Sequence, residues 1–352
     1  MCNVFGVPRI LRSLTDSRRD PCIPTFDVVN ALFHAALFRL PSINALEGDL
    51  KEPDFQKQIG KRPNDGVKAF SADVVANVLD KLATGGLRDG NEDVIWTAER
   101  NKALREECYG TLRCVAMDGW EPFASYDRHC AHCLTREVSV KNPTTGDVEK
   151  RTQYYHRYVV ALYLGPTLDL VLDIEPVRNN EACREAGEDA HHEGELSAAY
   201  RLMERLHDTY GTFIDALVFD ALYANGPVMT RLDKFGWGGF ISLKKEDCEP
   251  FKEALALWGD QAPCERCHDD DKKEDIEFWD VRDIDTLESY EGKVRVVRAV
   301  VTQKDGTRKT WCFAVVGKRA QKVGLRTSLK IQRSRWHIED TIFNQWVQHW
   351  NL

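Results

Sequence analysis

The chain lacks a long hydrophobic run. A membrane-spanning helix needs about eighteen or more consecutive apolar residues, and the best candidate here, VVNALFHAALF, is broken by His34 and closed by Arg39. That segment reads as a helix of a soluble protein, and no membrane partner is expected. The opening residues MCNVFGVPRILRSLTDSRRD lack an apolar core followed by a small-residue cleavage site, so no secretory leader is expected. Also missing are a G-x-S-x-G elbow, a P-loop and a glycine-rich dinucleotide loop, so no motif offers a protein nucleophile or a nucleotide cofactor site. No internal repeat is visible, and an acidic stretch is the nearest thing to low complexity.

Cysteine and charge are abundant. Eleven cysteines, an odd number in a chain without a leader, point to the reducing cytoplasm, where they serve as thiols or metal ligands rather than disulfides. The net charge of −8 argues at first against a polyanionic partner, but it averages two opposed segments. Acids dominate from Glu265 to Glu291, whereas from Lys293 to Arg335 the lysines and arginines are opposed by Asp305 alone. So one-sided a stretch suits a nucleic-acid-facing surface. The alternative is a solvated basic face that neutralises the acidic stretch.

A length of 352 residues suggests two domains, or one with a large insertion. Residues 1–110 read as a helical domain. TFDVVNALFHAALFRL has helical spacing with Thr25 as candidate N-cap, and SADVVANVLDKLATGG starts at Ser71 and stops at Gly85-Gly86. From Leu112 the texture becomes strand-like: LRCVAMDG, REVSVKN, YYHRYVVALYLG and LDLVLDIEPV, then the helix ELSAAYRLMERLHDTYG, the strand in DALVFDALYANGPV and the strand GGFISLKK. Two more strands flank the turn Lys304-Asp305-Gly306, and a helix from Arg335 to Trp350 comes last. Strands followed by alternating helix and strand predict an α/β fold, a mixed sheet flanked by helices in the order of a ribonuclease H-like core.

Asp118 and Asp220 each close an apolar strand, and Glu339 leans toward the apolar face of the last helix. Like charges brought together repel unless a cation lies between them. Three hard oxygen donors suit Mg2+ or Mn2+ with positions left for water and phosphate, the arrangement used for in-line phosphoryl displacement. Taken singly each acid has a plainer reading: a strand-end Asp as a turn or cap residue, and Glu339 as the partner of Arg335 one turn earlier.

The residues VAMDG, VFDALYANGPV and RWHIEDTIFN together resemble the DDE-type transposases of bacterial insertion sequences, in the group typified by insertion sequence four. LTDSRRDPCIPTFDVVNALF, FSADVVANVLDKL, HCAHCLTREV, YYHRYVVALYLGP and GELSAAYRLMERL match in the same order, so the resemblance covers nearly the whole chain. It implies a ribonuclease H-like catalytic domain over 111–352, with a β-rich insertion at about 247–325 before the last catalytic helix, and it carries the catalytic carboxylates onto Asp118, Asp220 and Glu339. The implied chemistry is metal-dependent cleavage of double-stranded DNA at terminal inverted repeats, then transfer of the freed 3′-OH into target DNA by a homodimer in the bacterial cytoplasm, at the nucleoid. Arg335, Lys244, Lys245, Lys330 and Arg333 are the candidate DNA contacts. The sequence departs from the family pattern at Gln332, where a tyrosine is usual, and at Trp346, where a lysine is usual. It also ends at Leu352, where such transposases often continue into further helices. A transposase-derived DNA-binding protein without catalysis, or a nuclease without strand transfer, are the alternatives.

Two C-x2-C pairs, Cys130/Cys133 and Cys264/Cys267, are candidate ligands for a structural Zn2+. They form one site only if the fold joins them, with His129, His132 and His268 flanking them as substitutes; otherwise they are two unrelated thiol pairs. His156 reads as a hydrogen-bonded structural histidine, and Glu195 either as a further active-site acid or as a helix N-terminal charge.

Overall fold

The computed structural model describes residues 2–60, 69–141, 146–244 and 248–349. Two compact units emerge: Met1–Leu104 with Asp340–Leu352, and Arg105–Glu339.

The first unit is helical, as its spacing predicts: α1 (Val7–Ser13), α2 (Thr25–Leu37), α3 (Ile43–Asp49), α4 (Pro53–Gln58), α5 (Ala72–Lys81) and α6 (Thr84–Arg100). Leu14, Val28, Val29, Leu46, Leu50, Phe55, Val75 and Val78 form its core. The expected helix starts are bonded differently. Thr25 lies inside α2, and its hydroxyl donates to Asp16 Oδ2 at 2.6 Å, while the N–H of Ala72 at the start of α5 donates to Glu47 Oε2 at 2.9 Å rather than to Ser71. Gly85 and Gly86 do not stop a helix; they lie in the first turn of α6. There the side chain of Leu14 packs close over Gly86.

The second unit is mixed α/β. Its strands are β1 (Cys114–Trp120), β2 (Ala124–Ser125), β3 (Leu134–Lys141), β4 (Val148–Tyr155), β5 (Tyr158–Leu164), β6 (Asp169–Pro176), β7 (Ala216–Phe219), β8 (Gly238–Ser242), β9 (Glu265–Asp269), β10 (Glu274–Ile284), β11 (Val294–Thr302) and β12 (Arg308–Val316). Its helices are α7 (Asn180–Glu185), α8 (Glu195–Tyr210), α9 (Gly226–Phe235), α10 (Glu249–Trp258) and α11 (Leu325–Ser334), and α12 (Asn344–His349) follows in the terminal segment grouped with the first unit. One sheet has the order β6-β5-β1-β7-β8-β12-β11-β10-β9. Within it β1, β7 and β8 run parallel. Covered strands of this kind are apolar; β7 is buried along its whole length, as is β5 beside β1 except at Tyr158. The apolar face of α8, from Ala198 to Tyr210, packs on β5 and β6, and α11 packs on β8.

The β-rich segment expected as an insertion does not stand apart. β12 pairs antiparallel with β8, so β9–β12 continue the same sheet. The acidic stretch, expected as a loop, forms β9 and β10 through Ile284, and its acids meet the basic stretch. Arg295 (buried) bonds Asp280, Arg308 pairs with Glu277, Arg326 with Glu265 and Arg333 with Glu274. Of the two readings of the basic segment, mutual neutralisation is what these contacts display. The expected strand YYHRYVVALYLG is also split: His156 and Arg157 separate β4, in a three-stranded sheet ordered β2-β4-β3, from β5 in the large sheet.

The single helix expected over Arg335–Trp350 is interrupted by a π-helical turn, Ile338–Phe343; Trp350 falls outside the described residues. No helix among the described residues is long and apolar enough to cross a membrane.

Candidate active site

Register places the candidate acids. Met117 pairs with Phe219, and Phe219 with Ile241, across the parallel strands. The next residues, Asp118, Asp220 and Ser242, therefore lie abreast at the C-terminal ends of β1, β7 and β8, the edge where parallel strands commonly present ligand-binding groups. β1 does not end at Asp118, as its sequence suggests; pairing with β5 carries it on to Trp120. β7 does end, and Asp220 caps the following turn, its Oδ1 accepting the Leu222 N–H at 2.8 Å. Its other oxygen lies 4.0 Å from Lys244 Nζ.

Glu339 comes from the π-helical turn after α11. Such turns recur at functional sites, and this one follows Arg335, whose Nη1 donates to both Asp118 Oδ2 (2.5 Å) and Glu339 Oε1 (2.8 Å). The Arg335 side chain is only 4 % exposed. One buried guanidinium nitrogen thus joins two of the three candidate acids.

The charge is not balanced. Burial pushes the Asp118 carboxyl up to about 7; Arg335 opposes the shift, and Asp220 and Glu339 reinforce it. Burial is the main cause of that shift, and the neighbouring acids add to it, an environment in which a bound cation would favour the charged form. Asp118 and Glu339 share Arg335 and Asp220 is abreast of Asp118, but the three carboxylates do not gather within 4.8 Å of one another as they stand. As hard oxygen donors they are of the type that suits Mg2+ or Mn2+.

Two further groups, Glu195 and Tyr223, belong here. The Tyr223 hydroxyl donates to Glu195 Oε1 at 2.9 Å, and Arg157 Nη1 lies 3.6 Å from Glu195 Oε2. Burial raises the Glu195 carboxyl; Tyr223 and Arg157 oppose the shift, and Asp220 adds to it. Gly119 makes room for this acid, since a Cβ there would stand 2.3 Å from Glu195 Oε2. Tyr223 is fully buried, and its ring stacks on Phe219. The sequence offers one clue to it, its position three residues after Asp220. For Glu195 the helix-start reading is incomplete, because its carboxylate turns toward the acids.

The basic candidates separate. Lys244 is exposed beside Asp220. Lys245 lies outside the described residues. Lys330 is exposed, its Nζ 6.0 Å from the Tyr109 ring centroid. Arg333 is largely buried and paired with Glu274 at 2.8 Å. Gln332 is buried and donates to Ser242 Oγ at 2.6 Å, which ties α11 to the strand-end row.

The four cysteines do not form one site. Cys264 precedes β9 and its thiol faces the Phe278 carbonyl, while Cys267 is on β9, the outermost strand at the far edge of the large sheet. Cys130 and Cys133 sit in the turn before β3 and group instead with His156, at the break between β4 and β5. His156 is therefore more than a packed ring among aromatics.

No protein-family model matches this chain, and neither does any curated protein.

Proposed function

We propose that the chain is a DDE-type transposase: a ribonuclease H-like enzyme that cleaves double-stranded DNA at transposon ends and transfers the 3′-OH into target DNA. The observation that carries this reading is the bridge of Arg335 to Asp118 and Glu339 beside Asp220, residues which the motif resemblance had singled out one by one. A divalent cation bound by these carboxylates would polarise the scissile phosphate and activate water or a 3′-OH as nucleophile.

The protein's own groups have distinct tasks. Asp118, whose carboxyl is pushed up to about 7 by burial, would give up its proton on holding a cation. Arg335 can exchange a carboxylate for a phosphate oxygen, since its planar fork suits either. Lys244, exposed at the margin, is placed to take a backbone phosphate. The Tyr223–Glu195–Arg157 chain holds the wall behind Asp118 and Asp220. Both steps of transposition are in-line displacements at phosphorus, so one site serves both.

Glu339→Gln tests this. On duplex DNA carrying the inverted repeats that flank the gene, with Mg2+, the variant should bind the ends but leave them uncut. Retained cleavage would remove Glu339 from the site. Cleavage without joining by the unaltered protein would favour a nuclease, and binding with no cleavage by either protein would favour a transposase-derived DNA-binding protein.

A further inference from the structure

We propose that Cys130, Cys133 and His156 bind one Zn2+, with the fourth position left to solvent, at the junction between the small sheet and the large one. This site is separate from the carboxylates and takes a softer metal. The spacing of the donors carries the argument. The sulfurs lie 3.8 Å apart, and His156 Nε2 lies 3.3 Å from Cys130 Sγ and 3.5 Å from Cys133 Sγ. At tetrahedral angles, Zn–S bonds of about 2.3 Å and a Zn–N bond of about 2.0 Å require S···S of about 3.8 Å and S···N of about 3.5 Å. The three atoms thus already stand at the corners of a zinc tetrahedron. A disulfide would need the sulfurs at about 2.05 Å.

The surroundings hold this arrangement. The Cys130 N–H donates to Cys133 Sγ at 3.3 Å, and the Cys133 N–H returns a bond to the Cys130 carbonyl at 3.3 Å, closing the turn. The buried Asn179 donates to the carbonyls of Ala131 (2.7 Å) and Cys133 (3.1 Å), fixing the turn from behind. The neighbouring histidines are engaged elsewhere: His129 stacks on Tyr154, and His132 Nε2 lies 3.0 Å from Glu185. Binding releases the two thiol protons, so no oxidant is involved.

The position gives the metal a task. His156 occupies the break in the strand-like run, and the next residue, Arg157, reaches Glu121 at 3.8 Å and Glu195 at 3.6 Å. Zinc would pin the Cys130–Cys133 turn to the start of β5, which runs beside the Asp118 strand.

The test is the metal content of the full-length protein, purified without chelator and dialysed against metal-free buffer. One zinc per chain is expected, falling to background in Cys133→Ser and in His156→Ala and unchanged in Cys264→Ser and His132→Ala. Because Cys133→Ser could fail to fold, Co2+ exchange into the unaltered protein is the second measurement; it should give the visible bands of tetrahedral cobalt with a thiolate charge-transfer band. Zinc-free protein with no cobalt bands would overturn the site, as would a Cys130–Cys133 disulfide found by mass spectrometry. Zinc lost equally in Cys264→Ser would overturn the ligand assignment.

Discussion

Two clusters of acids and arginines in the same unit behave in opposite ways. Around α8, Asp173, Glu175 and Glu193 meet Arg178, Arg201 and Arg205: Arg201 bonds Glu175 and Glu193, and Arg205 bonds Asp173 and Glu175. There cations match acids, and although burial opposes the charge of Glu193, the bonds from Arg201 and the Arg178 backbone hold its carboxyl below the ordinary 4.5. Two residues along, Glu195 is shifted upward, and Asp118 more so. At that end of the sheet Asp118 and Glu339 share one deeply buried guanidinium, Arg335, while Glu195 has Arg157 at 3.6 Å and Asp220 has the exposed Lys244 at 4.0 Å. The first cluster satisfies itself and reads as structural; the second leaves negative charge for something else to answer.

The largest expected effect comes from removing a donor at the unbalanced cluster. Asp118→Asn should reduce metal-dependent cleavage to background. Because the folded site disfavours that charge, its stability without metal at neutral pH should stay within about 1 kcal/mol by urea unfolding, the range of a mutation that breaks no balanced pair. Arg201→Ala should do the reverse, costing about 3 kcal/mol by removing one cation shared by two buried carboxylates, Glu175 and Glu193, with cleavage retained below the unfolding temperature.

The pH dependence of stability distinguishes the clusters further. Glu193 titrates lower in the folded state than in the unfolded one, so its stabilisation is full above 4.5 and is lost as pH falls through the depressed value. Glu193→Gln should therefore flatten acid unfolding over that interval, seen as a shallower fall of melting temperature. On the DNA side, Lys244→Ala should lower the slope of log affinity against log salt by about 1. The smallest effect is expected at the exposed Arg308–Glu277 pair, where Arg308→Ala should change stability by about 0.5 kcal/mol or less and leave the salt slope unaltered.

Asp118, Asp220 and Glu339 are singled out in the sequence by short motifs and the resemblance they carry. That Asp118 and Asp220 lie abreast, and that Arg335 joins Asp118 to Glu339, follows from strand pairing and packing that local pattern does not show. What escapes depends on pairing between distant segments. Nothing in YYHRYVVALYLG marks the break at His156, since every residue there tolerates a strand and no glycine or proline interrupts it; the break follows from β4 and β5 pairing in different sheets. The basic stretch looks like a polyanion surface until β9 and β10 bring Glu265, Glu274, Glu277 and Asp280 against it. The two C-x2-C pairs look alike in sequence, but only Cys130 and Cys133 have a histidine folded onto them among the described residues.

The central claim is that a divalent cation answers the charge shortfall at Asp118, Asp220 and Glu339. Calorimetric titration of Mn2+ into zinc-replete protein tests it most directly, comparing the unaltered chain with Asp118→Asn and Arg201→Ala. Binding should be at least about tenfold weaker in Asp118→Asn, the scale of losing one ligating interaction, and unchanged in Arg201→Ala. Equal Mn2+ affinity in Asp118→Asn and the unaltered protein would contradict the claim.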